Sequence, residues 1–157
     1  MEIPAEQQER SKEPRPETLV NRRDVHIEWG HCDAAGIVFF PRYFEYFDAA
    51  THALFERAGC PQREMRKRFQ IVGCPLVEAR ARFLAPLHYD ENVTIDTYIA
   101  EFGRSSFRVQ HRLCKGEQLA VEAWETRVWT AASATDAEKM ESRPIPAEFI
   151  EKFSKVR

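Results

Sequence analysis

Two carboxylates carry the chemistry this sequence offers. Asp33 lies in Gly30-His31-Cys32-Asp33-Ala34-Ala35-Gly36, a turn-forming stretch with glycine at both ends. The small residues Ala34, Ala35 and Gly36 let a ligand approach the backbone closely. A helix follows, and its first turn presents unpaired N–H groups and a positive dipole end. A carboxylate facing such donors can attack, or activate water to attack, a carbonyl that they polarise. The other reading of Asp33 is a turn brace, a frequent task for aspartate. Asp48 is the second carboxylate. At about 100° per residue it falls about 40° from Phe44 and about 20° from Phe55, inside the apolar arc of the helix. A charge on a buried face is costly unless paired or used. Asp48 is therefore either a core aspartate satisfied by a tyrosine or arginine, or a polar contact for a hydroxyl on a buried ligand.

Other chemistries find little support. His31, His52, His88 and His111 are isolated and form no metal-type spacing, and no glycine-rich phosphate loop or serine nucleophile elbow is present. Cys32, Cys60, Cys74 and Cys114 are widely spaced and read as free, mostly buried thiols. Cys32 adjoins Asp33, but strand alternation points it to the opposite side. The basic run Arg63, Arg66, Lys67 and Arg68 reads as a solvated helix end rather than a phosphate site. With a net charge of -2 the chain lacks the basic excess of a nucleic-acid binder. No apolar stretch approaches the ~20 residues a bilayer requires. Residues 1–22 are polar and charged without an apolar signal-peptide core, so cytoplasmic residence is expected.

The elements that must position these residues follow from periodicity. Residues 1–22 read as a disordered or loosely attached tail, and 23–157 as one domain. Asp24–Trp29 alternates as a half-buried strand. Pro41 opens a long amphipathic helix over about residues 42–58, with Phe44, Phe47, Thr51, Leu54, Phe55 and Ala58 on one arc and Gly59 as its stop. A helix-leaning piece spans 61–69. Strands follow at Leu76–Leu84, Val93–Ile99, Phe107–Leu113 and Leu119–Ala131, with a hairpin turn at Lys115-Gly116-Glu117. A lone helix with one apolar face must bury it against the antiparallel sheet, giving an α+β domain with a curved sheet wrapped around a central helix.

The run Trp29-Gly30-His31-Cys32-Asp33-Ala34-Ala35-Gly36-Ile37-Val38-Phe39-Phe40-Pro41-Arg42-Tyr43 resembles the signature of the 4-hydroxybenzoyl-coenzyme A thioesterases of the hot-dog superfamily. The resemblance covers about residues 23–153. It implies a hot-dog fold and hydrolysis of an acyl-CoA thioester, without a cofactor or a metal. Asp33 matches the catalytic aspartate, nucleophile or general base, and Phe40 the residue whose backbone N–H polarises the thioester carbonyl. Gly36 then borders the substrate, and Asp48 matches a helix aspartate that meets an aryl hydroxyl. Val72, Gly73 and Cys74 match a stretch lining the acyl and pantetheine channel. Arg104, Ser105 and Ser106 match a strand-turn that holds the coenzyme A phosphates. There the family example carries three consecutive basic residues and this chain keeps only Arg104, with Arg143 as a second candidate. Such folds form homodimers or homotetramers with sites at subunit interfaces. Two rival functions are a hot-dog hydratase or dehydratase relying on His31, and a non-catalytic acyl-CoA binding module.

Overall fold

The computed structural model describes residues 14–15 and 17–154. Five strands form one antiparallel sheet: β1 (Asn21–His26), β2 (Leu76–Phe83), β3 (Asn92–Phe102), β4 (Ser106–Lys115) and β5 (Gln118–Val128), in the order β1-β3-β4-β5-β2. Helix α1 (Phe40–Arg57) lies on its inner face, and α2 (Gln62–Phe69) follows α1. Two short strands, β6 (Thr130–Ala132) and β7 (Met140–Ser142), pair apart from the main sheet, and α3 (Ala147–Glu151) closes the described chain. This is the expected α+β arrangement of a sheet wrapped around one long helix.

Much of the expected tail, residues 1–13 and 16, lies outside the described residues. Its last part corrects the expectation. Thr18 bridges Ser154, the Leu19 N–H donates to the Phe153 carbonyl at 2.8 Å, and β1 already begins at Asn21. Leu19 also packs on the core, so an apolar side chain holds a segment that composition alone marked as loose. At the other end β1 stops at His26 rather than Trp29. The Ile27 N–H leaves the β3 ladder for the Glu91 carbonyl at 2.9 Å, and Trp29 enters a 3-10 turn. The last long strand is likewise broken at Trp129, where the chain passes from the main sheet to the β6–β7 pair.

Alternation along the strands sets the inner face: Val93, Ile95, Thr97 and Ile99 on β3, Phe107, Val109, His111 and Leu113 on β4, Val121, Ala123, Glu125 and Arg127 on β5. Two apolar clusters result. One joins Val38, Tyr43, Phe47 and Ala50 to Ile95, Leu113 and Val121. The other joins Leu54 and Phe55 to Ile99, Phe107, Val109, Trp129, Phe149 and Phe153. Between them runs a buried polar belt of Thr51, Thr97, His111, Glu125 and Arg127. The buried arc of α1 is Tyr43, Tyr46, Phe47, Ala50, Thr51, Leu54 and Phe55. It is rotated toward the tyrosines relative to the expected arc, which leaves Asp48 at its margin with a side chain 57% exposed.

Phe149 on the short α3 is fully buried, with its ring 4.7 Å from Trp129 and 4.9 Å from Phe153, centroid to centroid. Truncation leaves a cavity that neighbouring aromatic rings cannot close. Phe149→Ala should therefore lower unfolding stability by about 3–5 kcal/mol in urea melts; a loss well under ~1 kcal/mol would mean that α3 is not part of the folded core.

Candidate active site at the head of the central helix

The loop before α1 is a tight return. The Asp33 N–H donates to the Ile37 carbonyl, the Gly36 N–H to the Asp33 carbonyl, and the Phe39 N–H to the His31 carbonyl, each at 2.9 Å. Gly36 sits at φ +78°, a conformation that side chains with a Cβ resist. No heavy atom lies within 4 Å of the point where its Cβ would stand, so the approach to the loop is open.

Asp33 is exposed, and its carboxylate is divided between two duties. Oδ1 accepts the Ala35 N–H at 2.8 Å, which braces the turn. Oδ2 has no partner among the described residues. The Ala35 bond is the turn brace that the sequence allows for Asp33. Phe40 is the first residue of α1, and Pro41 after it has no N–H. The Arg42 N–H turns back to the Phe39 carbonyl at 2.8 Å. The Phe40 N–H is left with no acceptor among the described residues, at the positive end of an 18-residue helix. A carboxylate oxygen and an open helix-terminal amide therefore share one exposed loop.

His31 anchors this loop to the helix. Its Nδ1 accepts the Glu28 N–H at 3.2 Å and lies 2.7 Å from the Tyr46 hydroxyl. Because Glu28 can only donate there, the proton of the neutral ring sits on Nε2 and the tyrosine also donates. Burial pushes the Tyr46 hydroxyl up to about 12, which keeps it a donor.

The other expected residues assemble elsewhere. Asp48 stands eight residues beyond Phe40, about 12 Å along the helix at 1.5 Å per residue. Its Oδ1 accepts from Arg127 Nη2 at 2.7 Å, and its Oδ2 is 3.6 Å from His52 Nε2. Gly73 and Cys74 join it through Arg127, which borders a cavity of about 20 Å³ together with both of them and His52. Arg127 Nη1 also reaches the Cys74 carbonyl at 3.4 Å. Burial pushes the Cys74 thiol up to about 12, so it is no nucleophile. Val72 is half-exposed beside them, its N–H bonded to the Thr130 carbonyl at 2.9 Å.

A third group forms around Trp129. Its N–H donates to the Ser105 carbonyl at 2.8 Å and its carbonyl accepts the Arg143 N–H at 2.9 Å, while the Ile145 N–H donates to the Arg104 carbonyl at 2.8 Å. Arg104 and Arg143 are thereby neighbours, with Ser106 in the same turn. Arg104 is exposed without an ion-pair partner among the described residues, whereas Arg143 Nη1 is 2.7 Å from Glu141 Oε2. The basic run behaves as a solvated helix face: Arg63, Arg66 and Lys67 are exposed on α2, and Arg68 pairs with Glu148. Among the described residues no group of three or more His, Cys, Asp or Glu side chains is placed to hold a metal ion, and no helix is long and apolar enough to cross a membrane.

The family model of the thioesterase-like superfamily matches residues 27–153. The chain belongs to that superfamily. It is 38% identical over 131 residues to the 4-hydroxybenzoyl-CoA thioesterase of Pseudomonas sp. strain CBS-3, covering 80% of this chain and 91% of that protein. A solved structure of a 4-hydroxybenzoyl-CoA thioesterase with an aspartate-to-asparagine mutation, complexed with 4-hydroxybenzoyl-CoA, is similar at a TM-score of 0.77 and 35% identity, over 86% of this chain and 99% of that one. A gentisyl-coenzyme A thioesterase is similar at a TM-score of 0.70 and 33% identity, over 85% and 98%. The sheet wrapped around α1 is the hot-dog fold.

Glu125 and Arg127 were missed in the sequence, although period-two counting from Val121 and Ala123 puts both on the core face. Burial works to raise the Glu125 carboxyl, but the hydrogen bond and charge of His111 and the nearby Arg127 prevail and hold it at about 2. Its Oε2 accepts from Thr51 Oγ1 and from Arg127 Nε, each at 2.9 Å, and its Oε1 lies 3.3 Å from His111 Nε2. A carboxylate depressed on folding contributes stability above its unfolded value, and that contribution disappears as pH falls toward the folded one. Glu125→Gln should cost on the order of 2 kcal/mol near pH 7 and roughly half that or less near pH 3, with the remainder lost only as pH falls through about 2, read from urea melts at both pH values. A penalty that does not change with pH would show that the Glu125 charge is not what the belt holds.

Proposed function

We propose that this protein hydrolyses an acyl-CoA thioester whose acyl group is aromatic and hydroxylated, as 4-hydroxybenzoyl is, and that Asp33 is the catalytic carboxylate. The observation that carries the reading is the unshared oxygen of Asp33 on the same loop as the open Phe40 N–H. The thioester carbonyl oxygen accepts from that amide, which makes the carbonyl carbon electrophilic. Asp33 then either bonds to the carbon and forms an acyl-enzyme that water cleaves, or takes a proton from the water that attacks. In both routes the carbon–sulfur bond breaks and coenzyme A leaves as its thiolate. The relatives, thioesterases of hydroxylated aryl-CoA esters in both cases, favour the same substrate class.

Asp48 takes the role of acceptor for the acyl hydroxyl, and Gly36, Val72, Gly73 and Cys74 border the acyl and pantetheine path. Arg104, with Ser105, Ser106 and Arg143, takes the coenzyme phosphates. The exposed, unpaired Arg104 and its nearness to Arg143 support this part. His31, the side chain a hydratase would need, is occupied by Tyr46 and Glu28. The four free cysteines go with a cytoplasmic enzyme.

The working unit in this reading is a homodimer, or a homotetramer built from it, with sites at the interfaces. Among the described residues β2 pairs only with β5, and this edge strand carries exposed Leu76, Val77 and Phe83, followed by Leu84. An apolar open edge of this kind is a pairing surface. Sedimentation at micromolar concentration should show dimers or tetramers; a monomer that keeps full turnover contradicts interface sites.

Asp33→Asn tests the chemistry. Release of free coenzyme thiol from 4-hydroxybenzoyl-CoA should fall by at least ~10³-fold, the scale of losing an activating base, while the circular dichroism spectrum and ester binding are kept. Near-normal thiol release by the variant refutes the assignment. Intact binding with no thiol release by the native protein would instead mark a non-catalytic binding module.

A further inference from the structure

Arg127 is the point at which separate parts of the substrate path meet. It projects from the inner face of β5 and is almost entirely buried. Its Nε is held by Glu125 Oε2 at 2.9 Å, and Nη2 reaches Asp48 Oδ1 on the helix at 2.7 Å. Nη1 turns to the Cys74 carbonyl. Glu125 is itself fixed by Thr51 and His111, whose ring is stacked on Phe47 at 4.8 Å and whose Nδ1 lies 2.9 Å from Thr97 Oγ1. The guanidinium therefore cannot swing without breaking a buried network.

Burying charges of this kind does little for stability by itself, because an apolar set of the same shape does as well. What the arrangement does accomplish is directional. The guanidinium, held through Nε and Nη1, presents Nη2 in one place and so fixes the position of the single Asp48 oxygen it meets. With Oδ1 of Asp48 engaged by Arg127, Oδ2 is the more available oxygen for a ligand. Without Arg127, Asp48 is a surface helix aspartate beside His52, able to rotate and pair with that imidazole instead.

We infer that Arg127 is a specificity-determining positioning residue, which holds Asp48 as an aimed hydrogen-bond acceptor and so sets the preference for acyl groups that carry a hydroxyl. This rests on the reading of Asp48 as the contact for the acyl hydroxyl. Arg127 acts through Asp48 and need not touch the substrate itself.

The test compares kcat/KM for 4-hydroxybenzoyl-CoA and benzoyl-CoA in the native protein, Asp48→Asn, Arg127→Met, Arg127→Lys and the double variant of Asp48→Asn with Arg127→Met. The native ratio should favour the hydroxylated ester. Asp48→Asn and Arg127→Met should each lower that ratio by about tenfold, the scale of one well-placed hydrogen bond. The double variant should lower it no further, and Arg127→Lys should restore part of it. If Asp48→Asn collapses the ratio while Arg127→Met leaves it at the native value, this inference fails and the role of Asp48 stands. If the native protein shows no preference and Asp48→Asn changes nothing, both fail together. Should Arg127→Met not fold, the Lys variant decides: a native ratio with a loss shared equally by both esters means that Arg127 serves only the fold.

Discussion

Glu125 is a carboxylate shut between a helix and a sheet, and much of the interior is arranged around keeping it ionised. Left alone there it would cost several kcal/mol. Thr51, His111 and Arg127 converge on its two oxygens, and Arg127, a cation in the same low-dielectric space, must be matched in turn by Asp48. The consequence is a register. Thr51 has to face Glu125 while Phe47 lies flat on His111, so α1 can neither slide by a turn nor rotate on the sheet without opening this set. Apolar packing alone would tolerate such slips more readily, since it is not directional. The belt that divides the two apolar clusters therefore also fixes where the first turn of the helix stands.

That position matters for the proposed chemistry because Asp33 and the Phe40 amide have little support of their own. The loop from His31 to Phe39 is exposed over much of its length, and its turn is closed by backbone bonds and one oxygen of Asp33. Rigidity comes from two anchors. Val38 is buried in the core with its N–H on the Leu87 carbonyl, and His31 is bonded to Tyr46 in the second turn of α1. Proline at the second helical position then removes one amide, and the Arg42 amide folds back on Phe39. The Phe40 amide is left without an acceptor among the described residues. In the proposed reaction such preorganisation would lower the barrier, because the donor is already oriented when negative charge develops on the carbonyl oxygen.

The parts of this design that were legible in the sequence are those with a local signature. Pro41 and Gly59 bracket the helix, the aspartate and glycine of the turn mark the loop, and β-branched alternation marks β3. The aromatic pair, proline and tyrosine after Asp33 carried the family resemblance, which the superfamily match over residues 27–153 bears out. What stayed hidden depends on long-range pairing. Asp48 was placed on the apolar arc because that arc counted Phe44 and left out the two tyrosines. In the fold Tyr43 and Tyr46 are buried and Phe44 is only partly so, which swings the buried face away from Asp48. Its arginine partner lies 79 residues away, beyond any helical or strand periodicity. Strands β6 and β7 have three residues each and α3 has five, too short to generate a period. They are held by Trp129, Phe149 and Phe153, aromatic anchors whose partners are scattered along the chain.

The division of the site into two centres, one at the head of α1 and one at its middle, has a consequence for how sharply an enzyme of this build can discriminate. A buried acceptor that loses its ligand hydroxyl is left unpaired, and such sites reject the unsubstituted analogue by very large factors. Asp48 is not in that position. It keeps Arg127 on one oxygen whether or not a hydroxyl arrives, and in the single chain its other oxygen is open to water and His52. If Asp48 accepts from an acyl hydroxyl as proposed, the penalty for an acyl group lacking it is the exchange of one hydrogen bond for another, about 1 kcal/mol rather than the full cost of an orphaned charge. In the proposed reading, the same cation that aims the acceptor also limits its selectivity, and chemistry at Asp33 and Phe40, which would see only the thioester, would proceed on either substrate.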